Sequence, residues 1–573
     1  MNRYYAGLST TCHDSALALV GPDGRVLFAE ATERYLQDKR AWNAAPDSLL
    51  RMESLLAEYV PADAQLVLAR SWISPADPEA ALSRPAHGAL LEKMLTEPGF
   101  RTLKATATGI RTVNDLAGLS LGLQQLRRGG GSVISRTYDH HLTHAANGCL
   151  TSDFDEALCL VADGYGEDLA GMGLFRFRDG RPESLPLGDN HWLFSPGLLY
   201  GKFCEACGFD PLRGEEWKVM GLAAEGRLDP GLYDQLHPYL RFRDGVPETP
   251  EKFLPVIRIL SRLESPADDQ VRADRAFTFQ HLFTEMMVEW LNGLHRKFPC
   301  QNLVLAGGCA LNSATNGRIL AQTPFTRLHV PCAPADDGNA LGAALLAWQE
   351  DHAGRRPPVA ASPWLGSRIC REELGRLVRY SGLQVTELSE TECCRQAAAT
   401  LAGGGIIGWI CGRAEFGPRA LGNRSILGNP CDPGIKDRLN RTVKFRESFR
   451  PFAPAILHEA GPEYFEDYAE SPYMERALVF RESVRARVPG VVHGDGTGRL
   501  QSVRESGNPP LWRLIVEFEK LTGVPLVLNT SYNVMGKPIS HSVGDVLSQF
   551  LTSGMDRLFI ENVMFDKPRK EMT

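Results

Sequence analysis

Two histidines four residues apart offer metal-binding chemistry in segment 139–146, whose sequence is DHHLTHAA. On a helix, His140 and His144 lie one turn apart on the same face, so both imidazoles can reach one ion. Asp139 is suited to cap the start of that helix. The alternative is that one histidine is a hydrogen-bonded core residue and the others are exposed. A third ligand would favour the metal site.

An acidic turn later in the chain offers that third ligand. Asp336 and Asp337 stand directly before Gly338 and a helix of small apolar residues. A carboxylate from either aspartate would complete a two-histidine, one-carboxylate site of the kind that binds iron, manganese or zinc with open positions. Such an ion can polarise a phosphate or activate an alcohol.

A basic cluster in segment 411–450 indicates a different chemistry. It holds nine Lys and Arg against four Asp and Glu, a balance of +5 inside a chain of net charge −7. Arg419 lies among glycines, and fork-shaped guanidinium groups beside exposed backbone N–H groups suit phosphate recognition. Because phenylalanines are interleaved, we expect a pocket for a small phosphorylated substrate. The alternative is a solvated basic face.

Four further segments offer polar groups at turns or at the ends of strands. Gly307 and Gly308 follow one such strand and lead through Asn312 into a predicted helix, a pattern typical of an anion or nucleotide site. Asp163 and Gly164 follow another such strand. A turn before Arg499, and a strand that ends at Ser531 and Asn533, deliver further polar groups. Neither a Ser-His-Asp motif nor a phosphate-binding loop of the G-x-x-x-x-G-K-[ST] type is present.

The elements that position these residues point to an α/β fold in two domains. Strand-and-turn units near residues 6–20, 157–167 and 303–312 suggest a duplicated, two-lobed domain of the actin-like ATPase type. Residues 353–363 carry adjacent prolines and break the periodic pattern, which predicts a linker. We therefore predict domains at 1–354 and 364–573.

Composition excludes several classes of protein. The 573 residues are 43% hydrophobic and 23% charged, typical of a folded soluble chain. No apolar run is long enough to cross a membrane and no secretion signal is seen, so we predict a cytoplasmic protein without a membrane partner. The acidic balance argues against nucleic-acid binding. The odd number of cysteines, 13, indicates buried or free thiols. The C-x-x-C pair at 204–207 is interpreted in the same way, and the alternative is a redox-active pair or half of a zinc site. The oligomeric state is left open.

The ordered motifs resemble the O-carbamoyltransferase family of nodulation protein NodU and the cephalosporin carbamoyltransferase. The resemblance spans essentially the whole chain, and within the family it is strongest to enzymes that act on aminoglycosides such as tobramycin. The matching stretches are 13–15 (HDS), 139–146, 163–164 (DG), 218–223 (KVMGLA), 307–312 (GGCALN), 417–422 (GPRALG), 495–497 (DGT) and 529–531 (NTS).

The resemblance implies a first domain like the tRNA threonylcarbamoyl transferase, with Fe(II) or another divalent metal held by His140, His144 and Asp336. Asp337 competes for the third position because the acidic turn aligns in two registers. The nucleotide-binding turns would be those of Asp163, Gly164, Gly307, Gly308 and Asn312.

The second domain resembles the YrdC type, which makes an acyl-adenylate. By this resemblance, carbamoyl phosphate and ATP with Mg react there to give carbamoyl-adenylate, whose carbamoyl group the first domain transfers to an acceptor hydroxyl. The site would consist of Arg419, Lys444, Arg446, Arg499, Ser531 and Asn533.

His13 is the candidate general base, since an imidazole is partly deprotonated near neutral pH. The alternative is a turn histidine bonded to Asp14. Two other functions are weighed against the transferase. An actin-like sugar or acetate kinase would account for the glycine turns alone, and a non-enzymatic ATP-binding assembly partner would bind nucleotide without consuming carbamoyl phosphate.

Overall fold

The computed structural model describes residues 2–73, 97–167, 170–187, 194–243, 245–247, 253–266, 268–359, 362–447 and 449–567. The chain forms two compact units. The first consists of Met1–Glu33 and Arg40–Ala361, and the second of Arg34–Lys39 and Ser362–Thr573. Residues 360 and 361 of the predicted linker lie outside the described residues.

Twelve strands are described in the first unit, in two five-stranded sheets and one small hairpin. They are β1 (Arg3–Ser9), β2 (Ala16–Val20), β3 (Val26–Ala31), β4 (Gln65–Arg70), β5 (Ile134–Thr137), β6 (Ala157–Ala162), β7 (Met172–Arg178), β8 (Arg181–Ser184), β9 (Phe242–Arg243), β10 (Val246–Pro247), β11 (Asn302–Ala306) and β12 (Arg327–His329).

The two larger sheets repeat one topology. The first has the order β3-β2-β1-β4-β5, and the second the order β8-β7-β6-β11-β12. In each sheet the first three strands along the chain pair antiparallel, and the last two join parallel. This duplication is the two-lobed actin-like architecture, so the predicted α/β fold class is confirmed.

Twelve described α-helices accompany these strands; the first of them begins in the first unit, and its residues from Arg34 onward group with the second. They are α1 (Thr32–Leu36), α2 (Leu49–Tyr59), α3 (Glu97–Leu116), α4 (Leu119–Arg127), α5 (His140–Thr151), α6 (Pro196–Ala206), α7 (Glu216–Leu222), α8 (Pro230–Leu236), α9 (Phe253–Arg262), α10 (Asp269–Lys297), α11 (Ser313–Gln322) and α12 (Asn339–Asp351).

Helices α5 and α12 join the two lobes of this unit. Helix α5 follows the first sheet and packs on strands of the second, whereas α12 follows the second sheet and packs on β1, β2 and β4 of the first. The two helices also pack on each other, and glycines permit this. A Cβ at Gly342 would collide with the Thr143 carbonyl oxygen, and one at Gly7 with that of Ala340.

The second unit is built on a mixed nine-stranded sheet of order β13-β21-β20-β14-β15-β19-β16-β18-β17. Its strands are β13 (Gln384–Glu387), β14 (Ile407–Ile410), β15 (Arg424–Gly428), β16 (Ala453–Leu457), β17 (Arg476–Val479), β18 (Thr497–Val503), β19 (Leu526–Ser531), β20 (Arg557–Ile560) and β21 (Val563–Asp566).

Seven described α-helices accompany this sheet. They are α13 (Arg371–Tyr380), α14 (Glu390–Ala402), α15 (Ile435–Leu439), α16 (Gly461–Tyr464), α17 (Glu482–Arg485), α18 (Pro509–Thr522) and α19 (Val543–Thr552). Helices α14 and α18 pack together, and one continuous hydrophobic core lies between helices and sheet. Among the described residues, no helix has the length and apolar character needed to cross a bilayer.

Candidate functional site

The first candidate group begins at the start of α5. Asp139 caps this helix, since its side chain accepts a hydrogen bond of 2.8 Å from the backbone N–H of Leu142. His140 and His144 then point to one side of the helix and are fully buried. The ring of Trp72 stacks on that of His140 with 4.3 Å between centroids. The structure therefore orients both imidazoles from one rigid element.

Two carboxylates from the second lobe meet these imidazoles. Asp163 follows β6, and its Oδ2 lies 3.2 Å from His140 Nε2. Asp336 lies in a short 3-10 turn before α12, and its Oδ1 lies 3.3 Å from His144 Nε2. One ligand atom from each of the four residues falls within 4.8 Å of the others. The end of a strand and the starts of two helices thus bring these four side chains together.

This set of donors fits a divalent metal ion. Two imidazoles and two carboxylates are ligands that iron, manganese and zinc accept. Burial disfavours a charged imidazole here, but Asp163 and Asp336 raise the pKa of His144. The same carboxylates would attract a cation equally well. His140, His144, Asp163 and Asp336 are the residues that would hold the ion.

The two alternatives for the aspartate of the acidic turn differ in geometry. Asp336 lies within the group, whereas Asp337 lies outside it and accepts a hydrogen bond of 3.0 Å from the backbone N–H of Gly338. Burial, together with the neighbouring Asp14, raises the pKa of Asp337 to about 7. The sequence did not predict Asp163 as a ligand, because its place after a buried strand is equally typical of a nucleotide-binding turn.

The predicted nucleotide turns lie beside this group. Gly307 has φ of 87°, which places the N–H of Gly308 2.9 Å from Asp163 Oδ1. Gly164 borders open space, because a Cβ there would meet nothing within 4 Å. Asn312 caps α11 and bonds to Gln280. The turn at Gly307 and Gly308 therefore orients a candidate metal ligand, and the turn at Gly164 leaves its backbone beside open space.

His13 lies at the edge of the same group. Its Nδ1 is 2.9 Å from Asp14 Oδ2, the contact expected of a turn histidine, and 3.9 Å from Asp336 Oδ2. The side chain is 28% exposed, and its ring meets the half-exposed indole of Trp42 edge-on at 5.2 Å. His13 therefore combines solvent access with proximity to the candidate metal ligands.

The backbone around His13 is strained. Two stretches, 12–14 and 40–43, are joined by hydrogen bonds from Asp14 N to Arg40 O and from Asn43 N to Cys12 O, each of 2.8 Å. Four non-glycine residues here have positive φ, namely Asp14, Arg40, Ala41 and Asn43. Such conformations cost free energy and concentrate at functional sites. The strain singles out this edge of the first unit.

The second candidate group centres on Lys444. This lysine ends a π-helix, Asn440–Lys444, and is buried. Its Nζ donates to Asn533 Oδ1 and to the Ser531 carbonyl, both at 2.6 Å, and lies 3.3 Å from Ser531 Oγ. Burial and the neighbouring Arg446 lower the pKa of Lys444 well below its usual range. The structure thus brings Lys444 together with two residues that follow it about ninety positions later in the chain.

Three arginines extend this positive charge from one neighbour to the next, starting with Arg446 beside the lysine. Burial, with Arg450 and Arg499, lowers the pKa of Arg446 to about 9. Burial lowers the pKa of Arg499, which lies in β18, to about 10. Burial and Arg499 together lower the pKa of Arg419. Mutually repelling, buried cations create the potential that an anionic ligand would neutralise.

A cavity of about 460 Å³ lies beside the lysine. It is lined by Asp437, Asn440, Arg441, Phe445 and Arg446. The Arg446 guanidinium donates to Asn440 Oδ1 at 2.8 Å and lies over the Phe452 ring. This fixes the guanidinium at the cavity wall.

A buried carboxylate that the sequence did not predict as functional shapes the glycine loop that carries Arg419. Glu415 Oε1 accepts backbone hydrogen bonds from Leu421, Asn423 and Arg424 at 2.8–3.1 Å. In the sequence, the one indication that Glu415 orders this loop is its position two residues before Gly417.

Two family models match this chain, one within each of its two structural units. The family model described as Carbamoyltransferase N-terminus matches residues 125–345, and the one described as Carbamoyltransferase C-terminus matches residues 398–567. The first match contains the His140 group, and the second contains the Lys444 group. Both candidate sites therefore lie within regions that define the family.

Curated relatives and solved structures were also found. An uncharacterized protein, sll1178, of Synechocystis sp. is 34% identical over 76% of this chain and 77% of its own. Nodulation protein NolO of Bradyrhizobium diazoefficiens is 34% identical over 74% and 77%. Nodulation protein U of Rhizobium tropici is 29% identical over 97% and 95%.

Likeness to solved structures is weak. Full-length HypF in its phosphate- and nucleotide-bound form has a TM-score of 0.32 and 13% identity, over 61% of this chain and 55% of that one. The family rests instead on the two matched regions and on the relatives of one-third identity, which together place the chain in the carbamoyltransferase family.

Proposed function

We propose that this carbamoyltransferase uses ATP and carbamoyl phosphate to form carbamoyl-adenylate, and that its acceptor is a hydroxyl group of an aminoglycoside such as tobramycin. The observation that carries the proposal is the buried cationic cluster around Lys444, since two phosphorylated substrates need such a site. A kinase of the actin-like fold would leave this cluster without a role.

The first step would take place in the second unit. Hydrolysis of carbamoyl phosphate releases phosphate and leaves carbamate, whose oxygen attacks the α-phosphorus of ATP and displaces pyrophosphate. Arg419, Arg446 and Arg499 would neutralise the phosphates, with Mg bound to the ATP. Lys444 would counter charge that develops on the carbamate and α-phosphate, and Ser531 and Asn533 would hold the lysine in place.

The second step would take place in the first unit. The acceptor oxygen attacks the carbonyl carbon of the adenylate, AMP leaves, and the hydroxyl proton passes to His13 Nε2, because Nδ1 is engaged by Asp14. A metal ion on the His140 group would supply Lewis acidity toward the phosphate. Fe(II) is the ion that the family resemblance favours.

The surroundings of His13 support a cationic, sugar-like acceptor. The carboxylate of Asp14 lies beside His13, and that of Glu216 is close enough for His13 to act on its pKa, which burial raises. Carboxylates attract ammonium groups, and the half-exposed indole of Trp42 offers an apolar face to a sugar ring. An aminoglycoside carries both features.

The test is an assay of the purified chain with carbamoyl phosphate, ATP, Mg and Fe(II), with and without tobramycin. Mass spectrometry would follow pyrophosphate, ADP and carbamoylated product. We expect pyrophosphate together with carbamoyl-tobramycin. Pyrophosphate without that product would exclude tobramycin and keep the adenylate. ADP formed without carbamoyl phosphate would instead favour the kinase.

A further inference from the structure

A short segment near the N-terminus, residues 34–39, groups with the second unit; it begins with the last three residues of α1 (Thr32–Leu36) and is called the 34–39 loop below. Residues Arg34–Lys39 group with Ser362–Thr573, whereas the residues on either side of the loop group with the first unit. The ends of the loop are tied together, because Glu33 Oε2 accepts a hydrogen bond of 2.9 Å from the backbone N–H of Arg40. This hydrogen bond therefore holds the two ends of the loop close together.

One end of this loop holds the glycine segment that carries Arg419. The Arg34 side chain is 2% exposed, and its Nη2 donates to the carbonyl oxygen of Gly417 at 2.8 Å. Gly417 has φ of 97°, a conformation that favours glycine, and lies two residues before Arg419. A buried guanidinium therefore restrains the backbone that presents a candidate phosphate-binding arginine.

The middle of the loop holds the segment that follows Asn533. Gln37 Nε2 donates to the carbonyl oxygen of Ile539 at 3.1 Å, and Lys537 Nζ lies 3.4 Å from the Gln37 carbonyl oxygen. Asn533 in turn donates to the Lys537 carbonyl at 2.7 Å and accepts from Lys444. The loop thus contacts both segments that flank the Lys444 group.

The last residue of the loop brings a cation to the same group. Lys39 has an exposed side chain. It lies near enough to Lys444 to contribute, after burial and Arg446, to the lowered pKa of that lysine. No function is assigned to Lys39 by the motifs that define the second unit's site, because it lies some four hundred residues earlier in the chain.

We propose that residues 34–39 complete the polyphosphate-binding site of the second unit, with Arg34 as a positioning residue for the Gly417–Arg419 segment and Lys39 as a further cation for a phosphate of ATP. This inference rests on the proposed function, in that ATP is the ligand. It adds a binding residue from outside the region that the C-terminal family model covers.

The experiment measures ATP affinity by titration calorimetry on the full chain, and pyrophosphate release in parallel. Lys39→Met removes the charge, Lys39→Arg keeps it, and Lys520→Met is the matched control, because Lys520 is an exposed lysine of α18 paired with Glu517. We expect Lys39→Met to raise the Kd for ATP about tenfold or more. Lys39→Arg should stay within about threefold of wild type, and the control should be unchanged.

Arg34→Met and Arg34→Lys test the positioning role. We expect Arg34→Met to lower kcat for pyrophosphate release more than it raises KM for ATP, with partial rescue in Arg34→Lys, because the Gly417–Arg419 segment would be displaced rather than removed. Loss of folding alone would lower the active fraction without that split. If Arg34→Met fails to fold, the ATP affinities of the Lys39 variants still test the proposal, because Lys39 is exposed.

The outcomes separate this inference from the proposed function. Wild-type pyrophosphate release with an unchanged ATP Kd in Lys39→Met would overturn the inference and leave the function standing. Weaker ATP binding in Lys39→Met, in a chain that releases no pyrophosphate, would support the loop's role and remove the adenylate chemistry. A wild-type chain that binds no ATP would remove both.

Discussion

Single residues differ in how far sequence can assign them. The spacing of His140 and His144 predicted two imidazoles on one helix face, and either Asp336 or Asp337 was expected beside them. Asp163 could not be assigned to that group, because its carboxylate arrives from the end of β6 and only the three-dimensional sheet reveals where that end lies. The spacing of residues in the sequence predicts which side chains share a helix face. It does not predict which side chains from different lobes come into contact.

The two registers of the acidic turn lead to a prediction about metal content. We expect Asp336→Asn to lose bound metal, because Asp336 Oδ1 lies 3.3 Å from His144 Nε2. Asp337→Asn is the matched control and should keep the metal, since Asp337 lies outside the ligand group. Elemental analysis of the two purified variants after loading with Fe(II) provides the measurement. Loss of metal in Asp337→Asn alone would reverse the assignment.

At the scale of elements, the candidate metal group depends on how α5 and α12 pack. The sequence indicated both helices and the strands before them, but it contained no sign that each helix packs on the sheet of the opposite lobe. This arrangement follows from chain topology. It is also the reason why residues from α5, from the end of β6 and from the turn before α12 meet at one point.

The close approach of these helices predicts the effect of one glycine substitution. Gly342→Val should lower the free energy of unfolding by about 1–3 kcal/mol or more, because its Cβ would collide with the Thr143 backbone, which cannot rotate away as a side chain can. Gly122→Ala in α4 is the control: nothing lies within 4 Å of a Cβ there, and alanine favours a helix. Denaturant unfolding compares both variants with wild type. Equal stability of the two would contradict this account of the packing.

At the scale of the whole molecule, the two candidate groups lie in separate units, and each was indicated by a different kind of sequence signal. Histidine spacing pointed to the first. Charge imbalance and interleaved aromatic residues pointed to the second, where Lys444, Ser531 and Asn533 do come together. Charge density predicted that this region binds anions, but not the hydrogen bonds that orient the lysine.

This separation predicts that the two half-reactions respond to different substitutions. Lys444→Ala should abolish pyrophosphate release yet retain acceptor-dependent turnover of pre-made carbamoyl-adenylate, because the lysine belongs to the second unit. His144→Ala should do the reverse. Pyrophosphate and carbamoylated product are measured separately for each variant, with a thermal melt to verify folding. Equal loss of both half-reactions in either variant would contradict the division.

The loop of residues 34–39 also bears on how the protein is made. During translation this segment leaves the ribosome before any of Ser362–Thr573 exists, although those residues are its packing partners. At roughly 5–20 residues per second, the nascent chain presents Arg34 without its Gly417 acceptor for roughly tens of seconds. The 34–39 loop therefore cannot reach its final contacts while only the N-terminal part of the chain has been made. The second unit is complete only when this early segment packs against residues that are synthesised last.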